Sequence, residues 1–153
     1  MIAQMPDLVV TDKKRWPVMV VEVQNPKSFD RDYAIDFRKE IVPNLALAER
    51  VPYFMFVSQD RGYLWLNNDK LGLDEPPSLE FDMKPVVRHF TSRFKRKAKT
   101  RLPSELLEYY VSLWIDEMIN PNANGRRPTV PRKLESIFNK LQGGSVQEEA
   151  FSL

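Results

Sequence analysis

The chain reads as a single α/β domain built on a mixed β-sheet with covering helices. Three observations predict it. Two β-rich runs, Leu8–Thr11 and Val18–Val23, flank the polar turn Asp12-Lys13-Lys14-Arg15 and read as a hairpin. A further apolar run, Tyr53–Ser58, precedes a second strand pattern at Tyr63–Leu66. Between the two pairs, Asp30–Val42 carries a helical pattern. The order strand, strand, helix, strand, strand makes the second and third strands parallel neighbours joined by a right-handed crossover.

Each element has a local reason. Val18-Met19-Val20-Val21 is continuously apolar, as expected of a central strand covered on both faces. Asn25-Pro26 ends it, because proline has no donor for the ladder. Ser28 or Asp30 can cap the helix, and Ala34, Phe37 and Ile41 share one face. Pro43 kinks or restarts it, with Leu45–Glu49 continuing a helical pattern. Gln59-Asp60-Arg61-Gly62 is a turn signal, and Leu71–Phe81 reads as a Pro-rich acidic loop. Val86–Lys99 places Val87, Phe90 and Phe94 at helical spacing to pack inward. Pro103-Ser104 opens a clear helix whose apolar stripe includes Leu107, Tyr110 and Trp114. The domain is expected to run over residues 1–119. Residues 120–153 follow as a linker, a short helix over Arg132–Gln142 and a frayed tail from Gly143.

Composition narrows the chemistry. The 153 residues contain no cysteine and one histidine, His89, which removes disulfides, thiolate metal sites, histidine-rich zinc sites and most triad catalysis. Any metal must be held by oxygens. The start lacks a signal-peptide pattern and no apolar run is long enough to span a bilayer, so a cytoplasmic protein without membrane contact is expected. Net charge is only +2, yet 7 of the 23 Lys and Arg fall between Arg88 and Arg101 with no acid among them. These are Arg88, Arg93, Lys95, Arg96, Lys97, Lys99 and Arg101. They read either as contacts for nucleic-acid phosphates or as the solvated face of a helix.

The hairpin carries the most informative residues. Strand side chains alternate, so Glu22 and Gln24 share a face, and Asp7 at the mouth of the first strand can lie beside Glu22. Two carboxylates at a strand mouth form a hard-cation site suited to Mg2+ or Mn2+. Such an ion polarises phosphoryl groups and activates water, which points to phosphodiester hydrolysis. The bland alternatives are a strand start with an Asp turn, and a Glu22 solvated at the strand end.

Pro6-Asp7, then Glu22-Val23-Gln24 on the next strand, with Asn25-Pro26 and Val51–Val57 following, resembles the PD-(D/E)XK nuclease superfamily in its bacterial restriction-endonuclease-like branch. The likeness covers about residues 5–67. It implies a restriction-endonuclease-like mixed sheet flanked by helices, here with a C-terminal helical extension. It also implies Mg2+ or Mn2+ held by Asp7, Glu22 and the Val23 carbonyl. Gln24 stands where the family has a lysine that positions water; glutamine hydrogen-bonds but carries no charge. Lys39 or Arg38 on the following helix is the candidate replacement, and Glu40 an additional acid. The family core usually opens with a helix, often bearing another acid, yet only five residues precede Pro6. C-terminal helices or a partner subunit are the expected cover. The reading is therefore a Mg2+-dependent DNA endonuclease, with activity reduced or lost in a degenerate relative. A non-catalytic DNA-binding or interaction module, or part of a larger restriction or repair assembly, are the alternatives. A homodimer would suit cutting of two strands.

Overall fold

The computed structural model describes residues 4–26, 29–96, 101–121 and 127–148. Ser28, Lys97, Lys99 and the linker residues Asn122–Gly125 fall outside them. Six strands form one mixed sheet: β1 (Leu8–Thr11), β2 (Pro17–Val23), β3 (Tyr53–Val57), β4 (Arg61–Leu66), β5 (Leu79–Asp82) and β6 (Ser145–Glu148). Their order is β5-β4-β3-β2-β1-β6. Only the β2–β3 pair is parallel, and the other four pairs are antiparallel. Four helices flank the sheet: α1 (Arg31–Ile41), α2 (Lys84–Arg93), α3 (Ser104–Ile119) and α4 (Arg132–Lys140). Among the described residues, no helix is long and apolar enough to cross a membrane.

Strand alternation sorts the core into two layers. Val20, Phe54, Phe56, Tyr63 and Trp65 face α1, where Ala34 is buried and Phe37 and Ile41 pack against them. Val21, Val23, Met55, Val57 and Leu64 face α2, α3 and α4 on the other side. Full burial of each large side chain stabilises by roughly 1.5–3 kcal/mol, so β2 and β3 anchor both layers. Asp30 caps α1: its Oδ1 accepts the Tyr33 N–H at 2.9 Å.

Several expectations are corrected. Leu71–Phe81 is not loop throughout, because β5 pairs Phe81 opposite Gly62 on β4. Gly62 lies within that strand rather than in the turn, and it is glycine for a steric reason: a Cβ there would lie 2.1 Å from Phe81 Cζ. The turn is made instead by Ser58, whose Oγ accepts the N–H groups of Asp60 and Arg61, both at 3.1 Å. Pro43 ends α1 in a 3-10 turn, Val42–Asn44. Leu45–Glu49 does not resume a helix, since Leu47 adopts a left-handed φ of 71°. The 3.6-residue pattern there fills turns that bury Leu45 and Ala48. Phe94 does not pack inward: α2 stops at Arg93 and leaves the Phe94 ring 40% exposed against Tyr109 and Tyr110. After residue 119, α4 buries Leu134, Ile137 and Phe138 in the main core. Ser145–Glu148, expected as frayed tail, pairs with the whole of β1.

Candidate functional site

The hairpin register places Leu8 opposite Val21, so the next residues outward are Asp7 and Glu22. Here side chains replace the backbone ladder. The Asp7 N–H donates to Glu22 Oε2 at 2.7 Å, and the Val23 N–H donates to Asp7 Oδ2 at 2.8 Å. Each acid thus takes a backbone N–H from the strand carrying the other, which fixes both carboxyl groups at the β1–β2 mouth. Glu22 is 3% exposed, whereas Asp7 is partly open to solvent.

The electrostatics follow from that enclosure. Burial raises the Glu22 carboxyl from its ordinary 4.5 to about 8, and the Asp7 carboxylate adds to the rise. The hydrogen bond from the Asp7 N–H opposes it, and Glu108 on α3 contributes a smaller push upward. At neutral pH the Asp7–Glu22 pair therefore holds a proton on Glu22, a charge state that a bound cation would replace. Every influence that raises Glu22 is burial or another carboxylate.

Gln24 shares the Glu22 face, as strand alternation requires, and its Oε1 accepts the Tyr33 hydroxyl at 3.2 Å. Lys39 turns elsewhere: its Nζ lies 2.8 Å from Asp74, which holds the ammonium in its charged form. Arg38 is buried, with Nε and Nη2 donating to Asn68 Oδ1 and Nη1 to the Gly72 carbonyl. Its guanidinium lies 5.4 Å from the centre of the Trp65 ring. Both candidate cations are thus engaged with the segment after β4. Glu40 is exposed.

The basic run divides. Arg93 pairs with Glu117 at 2.5 Å and Arg101 with Asp60 at 2.8 Å, and Arg101 also donates to the Pro26 carbonyl. Arg88, Lys95 and Arg96 are exposed without ion pairs among the described residues, while Lys97 and Lys99 lie outside them. The stretch is thus partly spent on tying α2 to α3 and the 101–102 segment to the sheet.

Two features were not visible in the sequence. Glu108, remote in the chain, enters the surroundings of Glu22 because α3 crosses β2. Asn25 organises the C-terminal end of β2: its Nδ2 donates to Gln59 Oε1 at 3.1 Å and to the Leu102 carbonyl at 2.8 Å. Gln59 Oε1 also accepts the Leu102 N–H at 2.8 Å.

Asp7, Glu22 and the Val23 carbonyl are oxygen donors of the type Mg2+ accepts, with water completing its shell. Among the described residues, no group of three or more His, Cys, Asp or Glu side chains is arranged to hold a metal ion, so Asp7 and Glu22 offer a two-carboxylate set. Comparison with protein-family models, with curated proteins and with solved structures finds no match.

Proposed function

We propose that the chain is a Mg2+-dependent endonuclease-like protein of restriction-endonuclease-like architecture, acting on DNA phosphodiester bonds at the Asp7–Glu22 mouth. The observation that carries the reading is the reciprocal hydrogen bonding between the two acids and the opposite strands. Burial and the Asp7 carboxylate raise the Glu22 carboxyl to about 8, a kind of perturbation that clusters at functional sites, and this supports the reading. Two further features favour it. Helices α3 and α4 cover the sheet face opposite α1, in the role the resemblance gives to an opening helix, and Glu108 places an acid there.

In this reading Asp7 and Glu22 hold the ion, and the Val23 carbonyl assists. Bound Mg2+ or Mn2+ would supply Lewis acidity toward a phosphoryl oxygen and a water of lowered pKa. Gln24, oriented by Tyr33, donates from its amide to a phosphate oxygen or a water without contributing charge. Plasmid nicking tests the proposal. Wild type is expected to nick with Mg2+ or Mn2+ and to stop with EDTA, and Asp7→Ala and Glu22→Gln are expected to abolish nicking. Full metal-dependent activity in Asp7→Ala defeats the assignment.

A second reading is favoured by one observation: neither candidate cation is free to replace the neutral Gln24, since Lys39 and Arg38 are engaged at Asp74, Asn68 and Gly72. A non-catalytic DNA-binding module on the same scaffold would bind DNA with a steep salt dependence and cut nothing.

A further inference from the structure

Beside the β2 mouth lies a second concavity, a cavity of about 350 Å³ between α2, the β3–β4 turn and the 101–102 segment. Its floor is apolar, with Val87 and Leu102 buried. Lys84, Arg88 and Ser92 recur every four residues and so stack on one face of α2, with Thr91 beside them and Arg96, just past the helix, closing the rim. The charge is one-sided. Lys84, Arg88 and Arg96 have no ion pair among the described residues, while the lining acid Asp60 is already paired with Arg101 at 2.8 Å. Three unopposed cations and two hydroxyls over an apolar floor suit an anion carrying an apolar, flat body. The volume lies at the lower end of pockets that enclose small organic ligands and exceeds what inorganic phosphate fills.

We infer that this cavity binds a nucleoside monophosphate unit, its phosphate at Lys84, Arg88 and Arg96 and its base over Val87 and Leu102. The choice of ligand rests on the phosphodiester reading above, because Gln59 and Leu102 line the cavity and also bond to Asn25, three residues beyond Glu22. Through these bonds the cavity adjoins the C-terminal end of β2, the strand that carries Glu22. The unit is either a free nucleotide or the end of a DNA strand.

Calorimetric titration of the full chain without metal tests this, using thymidine 5′-monophosphate, thymidine, inorganic phosphate and a 5′-phosphorylated tetrathymidylate. The monophosphate is expected to bind at least about tenfold tighter than thymidine or phosphate, since only it engages both floor and rim. The tetranucleotide binding tighter than the monophosphate identifies a strand end; equal affinity identifies a free nucleotide. Lys84→Ala and Arg88→Ala each weaken binding by about fivefold, as loss of a charge-assisted contact at an exposed rim implies. Both rim positions are exposed, so the variants are expected to keep the native circular dichroism spectrum. Inorganic phosphate binding as well as the nucleotide, or a Lys84→Ala/Arg88→Ala double variant of undiminished affinity, overturns the inference. Nucleotide binding by a protein that nicks nothing keeps this site and removes the hydrolase reading. Metal-dependent nicking by a protein indifferent to the nucleotide does the reverse.

Discussion

Replacing Glu22 by Gln keeps the shape of the side chain and its acceptor for the Asp7 N–H but removes the buried titration. The Glu22 carboxyl rises from 4.5 to about 8 on folding, so between these values the native state retains a proton that the unfolded chain has released. Stability from this group is therefore fully present below about pH 4.5 and is lost as pH climbs through 8. At about 1.4 kcal/mol per pH unit the interval amounts to at most ~5 kcal/mol. Urea denaturation of wild type and Glu22→Gln at pH 5, 6.5 and 8 measures it. The difference between the two proteins is expected to move in favour of the variant by about 2–4 kcal/mol across that range. Parallel pH profiles for the two proteins would refute the buried, proton-holding pair. A variant that gains stability while losing nicking would mark the pair as a site maintained against the fold's own interest.

Other substitutions probe the scaffold. Arg38→Ala strands the Asn68 carboxamide oxygen in the core and opens a void under Trp65, so a loss of about 2–4 kcal/mol in urea denaturation is expected. Tyr110→Phe removes a buried hydroxyl that has no hydrogen-bond partner among the described residues, and is expected to be neutral or stabilising by up to ~1 kcal/mol, read as an unchanged or raised melting temperature. Gly144→Ala places a Cβ 2.0 Å from the Thr11 carbonyl oxygen, so the β1–β6 pairing should open, with faster hydrogen exchange of Val146 and Glu148 amides and a stability loss of about 2 kcal/mol or more.

The central layer was legible because its signals are local. The Val-rich run of β2, the turn at Asp12–Arg15 and the aromatic run of β3 each carry their own periodicity, and together they set the parallel crossover through α1. Alternation alone placed Glu22 and Gln24 on one face. What escaped detection depends on partners distant in the chain. β6 has four residues and is a strand only because β1 offers it an edge, and β5 needs Gly62 to admit the Phe81 ring. Phe94 follows the apolar spacing of α2, yet the helix ends one residue earlier. Lys39 and Arg38 are adjacent on a helix, and nothing local distinguishes a cation that turns to Glu22 from one drawn to Asp74 or Asn68.

The same contrast bears on how the mouth works. A pair of carboxyls on a flexible loop would relax apart, and the glutamate would regain its ordinary acidity. Here each is anchored through the other's strand, by Asp7 N–H to Glu22 and Val23 N–H to Asp7, so separating them means breaking the start of the sheet. The flanking pairs Leu8–Val21 and Val10–Met19 lie in the main core, where α3 and α4 cover them. Repulsion between the acids is therefore resisted by core packing and resolved by a proton. A divalent cation would relieve the same repulsion, so the proposed metal site carries its own expected outcome: Mg2+ or Mn2+ affinity, measured by calorimetry, rises with pH as that proton leaves, and an affinity flat from about pH 6 to 9 counts against it.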